Sequence, residues 1–422
     1  MRKHSMVGVI VIAAALVAAI SAFAATRSGS STPNGMAGMG GMQMTAAQMR
    51  AMSSPSTTAP AANLQIALDN LLGEHAYLAM YATDEGVSGK ADFPAIAKQL
   101  DRNSVALSKA IASVYGAKAG NVFLNGKNMW RDHIRDFVAY TVATAKGDKS
   151  GRAKAVNALH AYIAGFGTFL SKATGLPVAA VENDLVTHVQ QLATQLDMFH
   201  AKRYAGAYSL QSAAFNHMFM TGGILGGAIA KQKSISAGAS TSSAVGLRIA
   251  LDNLLGQHAI LAMRATQRGY DGSPDFAASA AALDRNSVAL SKAIASVYGA
   301  KAGKVFLNGK NMWRDHIRDF VAYTVALKKH DKAGQARAVA NLHAYIVDFG
   351  TFLAKATGLP VAAVQNDLVS HVQQLKTQID QYAAGNYGGA YKTFNTAYNH
   401  MFMTGDILSA AIVKQSPAKF AR

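Results

Sequence analysis

Apolar residues recur at intervals of three and four along most of this chain, the spacing that lines one face of an α-helix. One stripe runs Leu68, Leu71, Leu72, Leu78 and Ala79 with His75 among them; another runs Trp130, Ile134, Phe137 and Thr141 with His133 in line. Val181, Leu185, Leu192 and Leu196 carry His188, and Leu210, Ala214, Met220 and Ile224 carry His217. Breakers fall between the stripes: Gly86 and Gly89, Gly116, the Asn125-Gly126 turn, and the TGLP stretch at 174–177. The pattern predicts helices over about 63–84, 92–115, the turn after Gly126 to about 146, 150–174, 178–202 and 207–231. No segment sustains an alternation of period two, so strands are not expected.

The same pattern then starts again. LQIALDNLLGEHA at Leu64 returns as LRIALDNLLGQHA at Leu247, and NHMFMTG at Asn216 returns at Asn399, both at a constant offset of 183 residues. DRNSVALSKAIASVYGAKAG and VFLNGKNMWRDHIRDFVAYTVA repeat without a change. A period this long marks a duplicated domain rather than a solenoid of short units. The expected fold class is therefore all-α: two tandem homologous antiparallel helical bundles of about six helices each. Copy one covers 61–231 and copy two 245–422, joined by a flexible Ser/Ala/Gly linker over 232–244. Because the copies are so alike, retention of a residue in both says little about its role, and the positions that differ say more.

The first residues change the picture of location. Arg2 and Lys3 precede an uninterrupted apolar run that ends at Ala22-Phe23-Ala24, the form of a signal peptide cleaved after residue 24. Residues 25–60, with NGMAGMGGMQM and SSPSTTAPAA, lack periodicity and are expected to form a disordered Met-rich tail. An exported, periplasmic or cell-envelope protein follows. The chain of 422 residues has no cysteine, which excludes disulfides, thiolate metal sites and thiol nucleophiles. Its net charge of +18, which becomes +16 without residues 1–24, would draw it to anionic envelope polymers or lipid headgroups. The charges are dispersed, so no specific nucleic-acid partner is expected, and the oligomeric state is not legible.

Candidate chemistry rests on histidine. Five recur in both copies; His75, His133, His188 and His217 lie on apolar stripes, matched by His258, His316, His371 and His400, whereas His160 lies at a stripe edge. All but His133 fall near the middle of their helices, and His133 is not far from it, so in an antiparallel bundle the four imidazoles could share one layer and bind a metal. The alternative is a set of core histidines satisfied by neighbours one turn away, Asp184 for His188 and Asp136 for His133. Carboxylates are too few for a ferritin-like di-iron site, and zinc could use imidazole alone. Copper suits imidazole with thioether, which Met220 beside His217 and Met403 beside His400 would supply. Met36, Met39, Met42 and Met44, alternating mostly with glycine, would add soft ligands in the tail. No nucleophile elbow, P-loop, H-E-x-x-H or dinucleotide fingerprint is present, so an enzyme is not the favoured reading.

Taken together, LLGEHAYLAM, AIASVYGAKAG, WRDHIRDFVAYTVA, HVQQL and NHMFMTG resemble a group of exported bacterial helical proteins often labelled copper amine oxidase-like. That resemblance implies an envelope location and a connection with copper. The amine oxidase site itself, T-x-x-N-Y-[DE] with an H-x-H copper pair, has no counterpart here, since AGNYGG around Tyr387 lacks the flanking residues. The functional expectation is metal storage or handling at the envelope through a His/Met site in each copy; the alternative is a non-catalytic protein that binds anionic surfaces, with structural histidines.

Overall fold

The structure is a computed structural model that describes residues 56–238 and 240–420. The expected signal peptide and nearly all of the expected tail, including Met36, Met39, Met42 and Met44, lie outside the described residues. Among the described residues the chain is all-helical, with no strand. Copy one contributes α1 (Pro60–Val87), α2 (Phe93–Tyr115), α3 (Ala117–Asn125), α4 (Trp130–Lys146), α5 (Lys149–Thr174), α6 (Val178–His200) and α7 (Tyr204–Gln232). Copy two contributes α8 (Ser243–Asp271), α9 (Phe276–Tyr298), α10 (Ala300–Asn308), α11 (Trp313–Lys328), α12 (Lys332–Thr357), α13 (Val361–Ala383) and α14 (Tyr387–Gln415). None of these helices is long and apolar enough to cross a membrane.

Six helices of each copy correspond to the six apolar stripes. The short α3 and its twin α10 lie where the glycine punctuation gave no helix. Gly116 takes φ of +90° and bends the chain between α2 and α3, a conformation that L side chains resist. Gly120 then lets α3 lie directly on α2: a Cβ there would stand 2.6 Å from the Ser108 carbonyl, and Ser108 donates a hydrogen bond to the Gly120 carbonyl at 2.8 Å. Gly116 does break the chain, and Gly120 serves the close packing of the helix that follows it.

The core is organised around α1 and its twin α8. Every residue from Leu72 to Glu85 is buried, as is every residue from Leu255 to Arg268. Helix α1 packs on α2, α4, α6 and α7, and also meets α8 of the other copy. One apolar cluster runs through helices of both copies without a break. Across the junction, α7 packs on α9 and α14 on α2, the same contact with the roles exchanged, as in an isologous interface. Phe219 meets its own twin, Phe402, with ring centroids 5.9 Å apart. Tyr208 donates to Asp275 at 2.8 Å, and the twin pair, Tyr391 and Asp92, is joined at 2.7 Å.

Positions that differ between the copies carry the remaining buried polar contacts of this junction. Tyr81, Asp84 and Glu85 on α1 become Arg264, Gln267 and Arg268 on α8. Arg264 pairs with Glu85, lies 3.3 Å from Asp84 and covers the Tyr81 ring at 4.2 Å. Arg268 reaches Glu85 at 2.8 Å and Asp275 at 2.9 Å. A copy paired with a duplicate of itself would place Glu85 near Glu85 or Arg268 near Arg268, so the divergence fixes which surface meets which. One ion pair inside each copy is exposed and unchanged, Arg131 with Asp101 and Arg314 with Asp284.

These surroundings make two expectations concrete. Arg264→Met would leave the buried Asp84 without its cation and Glu85 with Arg268 alone, and should cost about 3–5 kcal/mol in chemical denaturation, whereas Arg131→Met at the exposed pair should cost under about 1 kcal/mol. Burial pushes the Asp69 carboxyl up to about 8, partly opposed by Gln65, and pushes Glu74 up to about 7, opposed by Asn103 and Asn395. A carboxyl that titrates higher folded than unfolded holds more protons in the native state, so the contribution of these two carboxyls to stability falls as pH rises from the unfolded value near 4 toward 8. Asp69→Asn should flatten that fall in urea denaturation series taken across the same pH window.

Candidate metal centre

Three helices of each copy bring one histidine apiece to a common point. His75 sits in the fully enclosed middle of α1. His133 sits one turn into α4, and the start of that helix is fixed twice: Asn128 donates its backbone N–H to Asp132 at 2.7 Å, and the Trp130 indole donates to Ser104 at 3.1 Å. His188 comes from the buried face of α6. The ring centroids of His75 lie 5.4 Å from His133 and 5.8 Å from His188, and the third separation is 6.5 Å. One nitrogen of each ring lies within 4.8 Å of the others. The second copy repeats the arrangement with His258, His316 and His371, at 5.5, 5.7 and 6.3 Å.

The walls are aromatic. Trp130 tilts against His75 at 4.5 Å, Tyr162 stacks on His133 at 4.5 Å, and Phe123 stacks on Trp130 at 4.9 Å. In such surroundings a charged imidazole is expensive. Burial lowers His75 well below its usual range, helped by His133 and His188. Burial, and then His188, brings His133 down to about 3; burial, and then His217, brings His188 down to about 4. The rings are therefore neutral near pH 7, with lone pairs free for a metal.

The cluster joins unpaired ring nitrogens with mutual proximity. Both nitrogens of His75 and the Nδ1 of His188 are buried and have no partner in the protein, and the same holds for His258 and His371, whereas His133 and His316 lean on the backbone of Trp130 and Trp313. Buried polar atoms are normally paired. The in-helix partner expected for His188 is engaged elsewhere: Asp184 accepts from Thr221 at 3.0 Å and faces His217 at 3.4 Å. The one expected for His133 does not satisfy its Nδ1 either.

Two expectations need correction. His217 and His400 do not join the clusters; each turns to an acid on the preceding helix, His217 to Asp184 and His400 to Asp367 at 3.3 Å. Met220 is 61% exposed and Met403 44% exposed, so neither sulfur points into its copy. The reason lies in the packing of α7 on α1. Gly222, at the end of NHMFMTG, sits so close to Asp69 that a Cβ there would collide with its carboxylate, and Ala214, Phe215 and Met218 turn inward with it. That register directs Met220 and Ile224 toward solvent.

The donor set in each copy is thus three neutral imidazoles and no carboxylate. Metal–nitrogen bonds of about 2.0–2.1 Å need nitrogens roughly 3.4 Å apart, against separations of up to 4.8 Å here. Cavities reach the first cluster from two sides, about 370 Å³ against His133 and about 130 Å³ against His188. The aromatic walls were readable only as core: Trp130 carries an ordinary apolar periodicity, and Tyr162 offers no sequence signal of its contact with His133. No protein-family model, curated protein or solved structure matches this chain.

If the histidines serve a ligand rather than the fold, His75→Leu should raise the stability of metal-free protein by about 1–3 kcal/mol by removing an unpaired buried polar group. Their depressed values also fix a sign. The unfolded chain binds more protons on these histidines below their ordinary range near 6.5, so their contribution to the stability of metal-free protein should fall as pH falls from 6.5 toward 4. The leucine variant should lose less over the same interval in thermal denaturation.

Proposed function

We propose that this chain is an exported metal-binding protein of two homologous helical bundles, each holding one transition-metal ion among three buried imidazoles. His75, His133 and His188 would ligate in the first copy, and His258, His316 and His371 in the second. One observation carries the reading: six buried histidines cluster in threes, and the deepest of each three, His75 and His258, has both ring nitrogens without a partner in the protein. A purely structural role leaves that desolvation uncompensated.

Copper in its monovalent state is the favoured ion, with zinc the alternative. Imidazole serves both. The cost of burying an ion scales with the square of its charge, so a divalent ion without a carboxylate ligand pays about four times as much as a monovalent one. The resemblance to exported copper amine oxidase-like proteins agrees with the metal and carries no reaction with it. In this reading Met36, Met39, Met42 and Met44 would capture or hand over the ion, and metal handling or storage at the envelope is the role.

Elemental analysis of protein purified without an affinity tag should find one tightly held ion per copy. His75→Ala and His258→Ala should each remove one, and the pair should remove both, while Met220→Leu changes nothing. Monovalent copper at a hundred times its dissociation constant should stabilise the chain by about 2.7 kcal/mol per site. Retention of metal by the double histidine variant, or its loss from Met220→Leu, would refute the assignment.

A further inference from the structure

His400 has no place in the cluster of its own copy, yet it stands on the way to it. Its Nε2 faces the Asp367 backbone carbonyl at 3.3 Å. A carbonyl only accepts, so the ring donates there and, when neutral, keeps its lone pair on Nδ1. Asp367 lies one turn before His371 on α13, the spacing at which helix side chains are neighbours. Its carboxylate accepts from Thr404 at 3.1 Å and faces His400 at 3.3 Å. Exposure falls inward along this set: the Asp367 and His400 side chains are 23% and 13% exposed, His371 is 5% exposed, and His258 is fully buried.

A cavity of about 340 Å³ joins these groups. Asp367, His400 and His371 line it, its remaining walls are chiefly apolar, and Ile407, 49% exposed, stands at its mouth. Of the three cluster histidines in this copy, His371 is the most exposed and is the one that lines the cavity. The first copy repeats the constellation, with His217 3.4 Å from Asp184, beside a narrower cavity of about 130 Å³ lined by Asp184 and His188.

We propose that Asp367 and His400 form an entry station at which a metal cation is held on its way to His371 and the cluster behind it. The inference rests on the metal reading of that cluster. A chain with a net charge of +18 repels cations from its surface at large, and a carboxylate in an apolar cavity supplies the local attraction. One carboxylate and one imidazole give an incomplete ligand set, and three imidazoles a fuller one, so the ion moves inward. A purely structural pair would leave the rate of metal uptake unaffected by its charge.

The chain has two tryptophans, and Trp313 tilts against His258 at 4.6 Å; Trp130→Phe therefore leaves a fluorescent reporter of the second cluster alone. Metal-stripped full-length protein mixed anaerobically with monovalent copper should show Trp313 quenching at a rate proportional to copper concentration. Asp367→Asn, which keeps the shape of the side chain, should slow that rate at least about 10-fold, while elemental analysis still finds one ion per copy. Asp367→Glu should restore most of the rate. Ile407→Phe narrows the mouth without touching a ligand and should also slow uptake, which serves if the asparagine variant folds poorly. Absence of bound copper from the unaltered chain would remove the cluster reading and the entry station with it. Full occupancy reached by Asp367→Asn and Ile407→Phe as fast as by their parent would overturn the entry station alone, as would loss of the second copy's ion from Asp367→Asn.

Discussion

The dryness around the middle of α1 and α8 is the constraint on which the rest of this structure depends. A helix enclosed on every side along four turns gives its polar side chains no route to water, so each must find a protein partner or remain neutral. Asp84 and Glu85 take the first course by meeting Arg264 and Arg268. Asp69 takes the second, with a raised proton affinity, and Glu74 combines a raised proton affinity with hydrogen bonds from Asn103 and Asn395. His75 and His258, like Tyr77 and Gln267, stay neutral and unpaired, and of these only the imidazoles stand grouped with other metal-ligating side chains. The metal reading begins from that grouping, because an imidazole deprived of hydrogen bonds and held uncharged is prepared for the one partner that needs its lone pair.

Duplication and divergence act on different parts of the molecule. The stretches that repeat letter for letter build α4, the junction of α2 with α3, and the exposed ion pairs of each copy. Most of the buried charges joining the copies stand at positions that have changed, with acid on α1 answered by arginine on α8. Identical halves could have met through hydrophobic contact alone, as Phe219 meets Phe402. The added charge complementarity makes the union of unlike halves specific, since any other pairing buries like charges together.

Helical class, the six main helices of each copy and the offset of 183 residues were legible in the chain because they depend on local periodicity and on comparing the chain with itself. The inward direction of His75, His133 and His188 was legible for the same reason. The role of His217 was not: its apolar face is as good as theirs, and only the packing of α7 against α6 shows that Asp184, 33 residues away, claims it. Met220 misled because a three-residue interval places it near His217 along the helix, whereas the contact of Gly222 with Asp69 sets the rotation of α7 and turns that sulfur outward. The short α3 was hidden by the glycines that allow it to pack.

By itself, then, the sequence determined that the chain is helical, that it is doubled, and which faces of its helices are buried, since each follows from spacing along one strand of residues. The tertiary structure alone decided which three of four inward histidines meet, where the acids that could have satisfied them are spent, and how the two copies join. Those outcomes turn on the rotation and depth of one helix against another. Contacts between residues far apart in the chain set that relation, and no local pattern encodes it.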